Sequence, residues 1–161
     1  MEILDKKEML VILMSGNKII DAHVHLTPPD IIDNIEYYRR REPYFDLLCS
    51  SPVNKNITGE QLIKEMDRTG VDRAVVFGFA FENMDLCRQV NNYIIKTIKK
   101  YPERLTGFAV VNPRHKKSIA ELERCKKQGL QGAGELFPAG QNFDVTDHNL
   151  LEQLCSFCRL H

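Results

Sequence analysis

Four short apolar runs, each followed by an amphipathic segment of helical period, recur along this chain, and that alternation constrains the fold more than any other feature. It is the signature of parallel strands covered by crossover helices. The strands are read over residues 18–25 (KIIDAHVH), 73–79 (RAVVFGF), 104–111 (RLTGFAVV) and 131–137 (QGAGELF). The second run is continuously apolar, as expected of a strand buried on both faces. Thr58 and Gln61 make a capping box that opens the first main helix, whose apolar stripe is Leu62, Ile63 and Met66 and whose end is Gly70. Leu86, Val90, Tyr93, Ile94 and Ile98 predict a second helix over 84–101, stopped by Pro102. Ser118 with Glu121 predicts another capping box, for a third helix closing at Gly129. Asp147 or Thr146 caps a fourth, carrying Leu150, Leu151, Leu154 and Phe157. With right-handed crossovers, four such units form either a small open α/β sheet or the first half of an eight-stranded barrel. The connection between the first strand and Thr58 exceeds the usual ~2 to 6 residues and is read as a functional loop.

Composition narrows the partners. A chain of 161 residues predicts one ordinary domain, with residues 1–13 a loosely held extension and 14–161 the folded unit. Lys+Arg and Asp+Glu number 22 each, so the formal net charge is zero and the attraction on which nucleic-acid and anionic-membrane binders rely is missing. No apolar stretch approaches the ~18 residues of a membrane span. The run from Met9 to Met14 after Lys6 and Lys7 is short for a signal peptide, and no small-residue cleavage site follows it. Five cysteines, an odd number spread through periodic segments, fit reduced thiols in the cytoplasm. Cys155-x-x-Cys158, with His161 beyond it, lacks a second pair to complete a tetrahedral site and is read as core thiols.

The sharpest chemical signal is His23-Val24-His25 at the end of the first strand. Side chains two apart on a strand share a face, so Asp21, His23 and His25 form one column. Two imidazoles at the C-terminal end of a parallel strand sit where such folds place their active sites. They suit a divalent metal with bonds of ~2.0 to 2.1 Å, and Asp21 is positioned to orient them.

The string IIDAHVHL resembles the amidohydrolase superfamily, specifically amidohydrolase family 2, the branch of metal-dependent hydrolases and decarboxylases. EMDRTGVDRAVVFGF, YPERLTGFAVVNPR and QGAGELFP resemble the next three strands of that family in the same order, so the likeness covers residues 18–155. The resemblance implies the N-terminal half of a (β/α)8 barrel and a divalent metal, zinc foremost, bound by His23 and His25. It implies a small carboxylated or cyclic carbonyl substrate, processed by hydrolysis or non-oxidative decarboxylation. The family's further ligands, a His after each of strands five and six and an Asp after strand eight, have no counterpart here, so weak activity or none is expected of this chain alone. Glu135, at the end of strand four, is the candidate catalytic carboxylate, as ligand or base, with a salt bridge to Arg104 or Arg114 as the plainer alternative. Arg114 and His115 follow strand three and are candidates for meeting an anionic substrate. The rival reading is a non-catalytic half-barrel, a remnant or assembly module, whose open sheet edges make homo-oligomers.

Overall fold

The computed structural model describes residues 18–160, so the N-terminal extension and His161 lie outside the described residues. Strands β1 (Ile20–His25), β2 (Arg73–Phe77), β3 (Leu105–Ala109) and β4 (Gly132–Ala133) form one four-stranded sheet in the order β1-β2-β3-β4, and every neighbouring pair is parallel. A one-residue irregularity in β1 between Asp21 and Val24 shifts its register, after which His25 lies opposite Phe77.

The connection expected to be a loop carries three short helices, α1 (Pro29–Asp33), α2 (Ile35–Arg39) and α3 (Pro43–Ser50). Each is too short to show a helical period in sequence. They are held by tertiary contacts: Ile31 and Phe45 are buried, and the Glu42 carboxylate accepts the backbone N–H groups of Glu82 and Asn83 at 3.1 Å each. The latter contact moors α3 to the loop that follows β2.

The main crossover helices are α4 (Gly59–Thr69), α5 (Met84–Lys100), α6 (Ser118–Lys127) and α8 (His148–Leu160), with a short α7 (Pro138–Gln141) after β4. The capping box at Thr58 is present, since its hydroxyl accepts from Gln61 N while the Gln61 side chain accepts from Thr58 N, and Gly70 closes the helix in the left-handed region at φ 76°. Asp147 caps α8 by accepting from Leu150 N at 3.0 Å. The box expected at Ser118 is not formed. Its hydroxyl instead donates to the carbonyls of Asn112 and His115, and Glu121 turns inward. Strand four is shorter than its sequence suggests, because the backbone leaves the sheet at Gly134 with φ 139°.

Leu26, Val76, Val90, Ile94, Val110 and Val111 form the centre of the core, between the sheet and its helices. Gly78 is required by a close approach, because a Cβ there would stand 2.6 Å from Cβ of Val90. A buried polar network crosses this core. Asn91 on α5 donates to Val110 O and accepts from Val110 N, both at 2.9 Å, and also donates to Glu121. Burial pushes the Glu121 carboxyl up, but hydrogen bonds from Arg124 and Asn91 and the Arg124 charge outweigh it and hold the group below its ordinary value.

Cys87 and Cys125 are buried, and burial raises both thiols to about 12. Cys155 and Cys158 are exposed, against the expectation of core thiols, because α8 buries Leu154 and packs Phe157 while turning these two outward. Partial burial, then the neighbouring Cys155, raises the Cys158 thiol, so nothing favours a reactive thiolate there. No helix among the described residues is long and apolar enough to cross a membrane.

Replacing Glu121 by Ala leaves one buried Asn91 N–H without its partner and removes the ion pair of the half-buried Arg124, and should lower unfolding stability by about 1–3 kcal/mol. Because the Glu121 pKa is depressed in the folded state, its stabilisation is present above its unfolded value and disappears as pH falls through the folded one. Urea titrations of the wild type should show a loss of stability below about pH 4.5 that is flatter in Glu121→Gln.

Candidate metal centre

His23 and His25 leave the same side of β1 despite the irregularity before them, and their Nε2 atoms stand 3.2 Å apart. Glu135, just past β4, reaches across the strand ends so that Oε2 lies 2.9 Å from His25 Nε2 and 3.7 Å from His23 Nε2. Gly134 makes this possible: at φ 139° the chain swings out of the sheet one residue before the carboxylate. Among the described residues these three are the only group of His, Cys, Asp and Glu side chains whose ligand atoms converge in this way.

The triangle fits one ion. Donor atoms bound at about 2.1 Å with angles of roughly 90 to 110° lie about 3.0 to 3.4 Å from each other, close to the 2.9, 3.2 and 3.7 Å found here. Side-chain exposures of 62% for His23, 34% for His25 and 37% for Glu135 leave one side of the triangle open. Burial lowers the His25 pKa below 6.5, with Glu135 opposing and His23 reinforcing, so the ring is neutral at pH 7 and its lone pair is free to ligate. Nε2 is the ring nitrogen that faces the polar groups of the cluster, His23 and Glu135.

Phe77, not evident from the sequence as a site residue, supports the pair. Its ring meets both imidazoles edge-on at centroid distances of 4.8 Å, with interplanar angles of 90° to His23 and 80° to His25. The β1–β2 register that sets Phe77 opposite His25 could have been found only by pairing the strands. Asp21 does not touch either ring. It accepts from the His23 backbone N–H at 3.1 Å and so shapes the strand, not the imidazoles.

Neither arginine offered as the plainer partner of Glu135 reaches it. Arg104 pairs with Asp67 at 2.7 Å and donates to the carbonyls of Val71 and Asp72, while Arg114 donates to Asn142 O. Arg114 and His115 border a separate groove with Asn149 and Gln153 on α8, and His115 Nδ1 accepts from Lys117 N. The structure therefore brings Glu135 to the two histidines and keeps Arg114 and His115 away from them. Beside the triangle opens a cleft of about 440 Å³, walled by Tyr44, Leu47 and Leu48 of α3 with Phe79 and Phe137. Tyr44, Leu47 and Leu48 lie in a segment without a periodic pattern, while Phe79 and Phe137, at the ends of the second and fourth strands read from the sequence, become cleft residues only once those strands lie in one sheet.

Four parallel strands with crossover helices, and a polar cluster at the strands' C-terminal ends, define half of a (β/α)8 barrel. The likeness to particular solved structures is specific in fold. The chain is similar to 5-carboxyvanillate decarboxylase from Sphingomonas paucimobilis, with a TM-score of 0.61 and 19% identity over 87% of this chain and 49% of that one. It is similar to 5-carboxyvanillate decarboxylase from Novosphingobium aromaticivorans complexed with manganese and 4-hydroxy-3-methoxy-5-nitrobenzoic acid, with a TM-score of 0.60 and 21% identity over 73% and 41%. It is also similar to 2,6-dihydroxybenzoate decarboxylase from Rhizobium, with a TM-score of 0.57 and 17% identity over 88% and 46%. The chain thus spans about half the length of the solved structures it matches. No family model and no curated protein matches the sequence.

Phe77→Ala should cost about 3–5 kcal/mol of unfolding free energy, as truncation of a buried ring does. In Phe77→Leu, which retains most of the volume, the fold should persist while the imidazole proton resonances of His23 and His25 shift as the aromatic ring beneath them is lost.

Proposed function

We propose that this chain carries the N-terminal half of a metal-dependent centre of the amidohydrolase family 2 kind, serving hydrolysis or non-oxidative decarboxylation of a small carboxylated or cyclic carbonyl compound. The observation that carries this reading is the triangle of His23, His25 and Glu135 at the strand ends, whose spacing suits one divalent ion. The fold likeness to decarboxylases, one of them complexed with manganese, supports the same class.

His23 and His25 would hold the ion through Nε2 and Glu135 through Oε2. When bound, a divalent ion supplies Lewis acidity that polarises a carbonyl or carboxylate oxygen and acidifies a water. Phe77 fixes the rotation of both rings, and the low pKa of His25 keeps its nitrogen available at neutral pH. Among the described residues Glu135 is the one carboxylate lining the cleft, so it is the group placed to accept a proton there. The cleft of Tyr44, Phe79 and Phe137 holds the organic body of the substrate and keeps water from one side of it.

Zinc is the ion we assign first, since two imidazoles and a carboxylate form a common zinc donor set. Manganese suits the same atoms with added waters, but zinc binds a given nitrogen and oxygen site more tightly. Arg114 and His115 line a groove apart from the triangle and carry no substrate role in this reading. The setting we propose is the cytoplasm, in keeping with five free cysteines among the described residues.

A second reading is favoured by the sheet edges. β1 and β4 are its outermost strands, and Ile19 and Ile20 are 50% and 57% exposed. Edges of this kind promote pairing with another chain, so a self-associating half-barrel module is the alternative, and homo-oligomers are expected under either reading.

Zinc titration followed by calorimetry should show one weak site per chain that is abolished in the double variant His23→Ala, His25→Ala. Equal affinity in that variant would overturn the metal assignment. Turnover of carboxylated aromatics and lactones by the zinc- or manganese-loaded chain should stay far below the ~1 to 10³ per second of ordinary enzymes, since three protein donors on an open side position a substrate poorly. Light scattering should give a species larger than the 18.6 kDa monomer; a clean monomer at low micromolar concentration would remove the assembly reading.

A further inference from the structure

One side of the sheet lacks a helical cover, and its chemistry bears on what can lie against it. On β2, Ala74 and Val76 are buried with the core. Alternation along the strand places Arg73, Val75 and Phe77 on the opposite face. That is the face of His23 and His25, since the Phe77 ring meets both imidazoles. β3 follows the same rule: Leu105 and Ala109 are buried, and a Cβ on Gly107 would stand 2.9 Å from Ile94 and Ile98 of α5, so Thr106 and Phe108 share the face of Arg73. Arg73, Val75, Thr106 and Phe108 are only half-buried, and Ile20, opposite Arg73 in the β1–β2 register, is exposed.

On this largely apolar face Arg73 is a cation without a counterion. Its guanidinium reaches the Thr106 hydroxyl at 3.5 Å, and among the described residues no carboxylate pairs with it. Arg39, Arg68, Arg88, Arg104 and Arg124, by contrast, each stand beside a carboxylate. The chain corresponds to about half of each solved structure it resembles, so the shape that fits this face is a further layer of four parallel strands closing a barrel. The inside of such a barrel is filled in layers of four side chains drawn from alternate strands. The strand directly across from β2 therefore contributes to the layer of Arg73. Were the barrel closed by a second copy of this chain, that strand would be the copy's own β2, and two guanidinium groups would share one layer of a packed interior. Burying unpaired charge is costly, and like charges set against each other add to the cost. A carboxylate from the opposite strand removes both penalties.

We propose that the face centred on Arg73 docks a half-barrel of different sequence, one that brings a carboxylate into the Arg73 layer from the strand opposite β2, and that it closes poorly on a second copy of itself. Arg73 is the residue that sets partner choice. The inference rests on the half-barrel fold and not on the metal assignment. Copies can still pair edge to edge in an open arrangement, so larger species of the wild type and closure around Arg73 are separate observations.

The test uses the whole chain, with an Arg73→Glu copy as the partner of the required chemistry. Wild type and an isotope-labelled Arg73→Glu chain are mixed, and homo- and heterodimers are counted by native mass spectrometry and sedimentation velocity. The 1:1 heterodimer should be at least about tenfold tighter than either homodimer, since one pairing sets opposite charges together and the others set like charges together. Arg73→Leu, which removes the charge, should self-associate more tightly than wild type, whereas Arg73→Lys, which keeps it, should not. Far-ultraviolet circular dichroism of each variant should match wild type, because Arg73 gives up only its contact with Thr106. A heterodimer no tighter than the homodimers, or an Arg73→Leu chain that associates no better than wild type, would overturn the proposal. Either result leaves zinc binding by His23 and His25 to be judged by its own titration.

Discussion

One wholly buried amide, that of Gln141, holds together the loops on which the site stands. Its Nε2 donates to the carbonyls of Phe81 and Val111, at 3.1 and 3.0 Å, and its Oε1 accepts from Phe137 N at 3.0 Å. A single side chain thereby fastens the segments that follow β2, β3 and β4. Each of those backbone groups would be costly to leave unpaired in the interior. The position of Glu135, two residues before Phe137, and the placement of Phe79 and Phe137 beside the cleft all depend on this arrangement. Asn112, donating to Glu82 O at 2.8 Å, and Glu42, accepting from Glu82 and Asn83, extend the same kind of fastening to α3 and its exposed apolar rim.

The site shows how a parallel sheet turns remote positions into neighbours. His25 and Glu135 are carried by β1 and the exit of β4, the two outermost strands, yet their polar atoms approach to 2.9 Å. The sheet must curve for this to happen, and the departure of the chain at Gly134 supplies the last few ångströms. Electrostatics then make the cluster suited to a cation. A neutral His25, whose charge is disfavoured by burial, and a carboxylate that pairs with no arginine or lysine among the described residues leave donor atoms facing one another. The charged groups elsewhere are matched locally, as Arg39 with Glu36 and Asp46, or Arg104 with Asp67. The contrast sets the strand-end cluster apart from an ordinary surface.

Solved structures with this fold are about twice as long as the chain, and the four described strands correspond to half of their barrels. In a closed barrel the cavity face of each strand is covered by strands opposite. Here Ile20, Asp21, Ala22 and His23 are all exposed, on both faces of β1. That exposure has two consequences of opposite sign: it leaves the His23–His25–Glu135 triangle accessible, and it leaves Ile20 uncovered among the described residues. The first supports binding chemistry and the second supports association.

Much of the framework was legible in the sequence because local physics decides it. The existence of four strands, the Thr58 capping box, the Gly70 stop and the Asp147 cap depend on residues within one turn or one strand of each other, and all are present. His23 and His25 could be paired by the two-residue period of a strand alone. Tertiary structure decided the rest. Ser118 and Glu121 have the pattern of a capping box, but burial against Asn91 and Arg124 offered Glu121 a better partner. Helices α1 to α3 lack any period and exist because Phe45, Ile31 and Glu42 are held by distant segments. Glu135 was visible as a carboxylate at a strand end, but only the curvature of the sheet and the turn at Gly134 brought it to the histidines, and only the β1–β2 register set Phe77 beneath them. Local sequence determines which elements form, because capping and periodicity act within a few residues. The convergence of groups from opposite ends of the sheet depends on contacts more than 100 residues apart along the chain, between His25 and Glu135, and no local pattern encodes it.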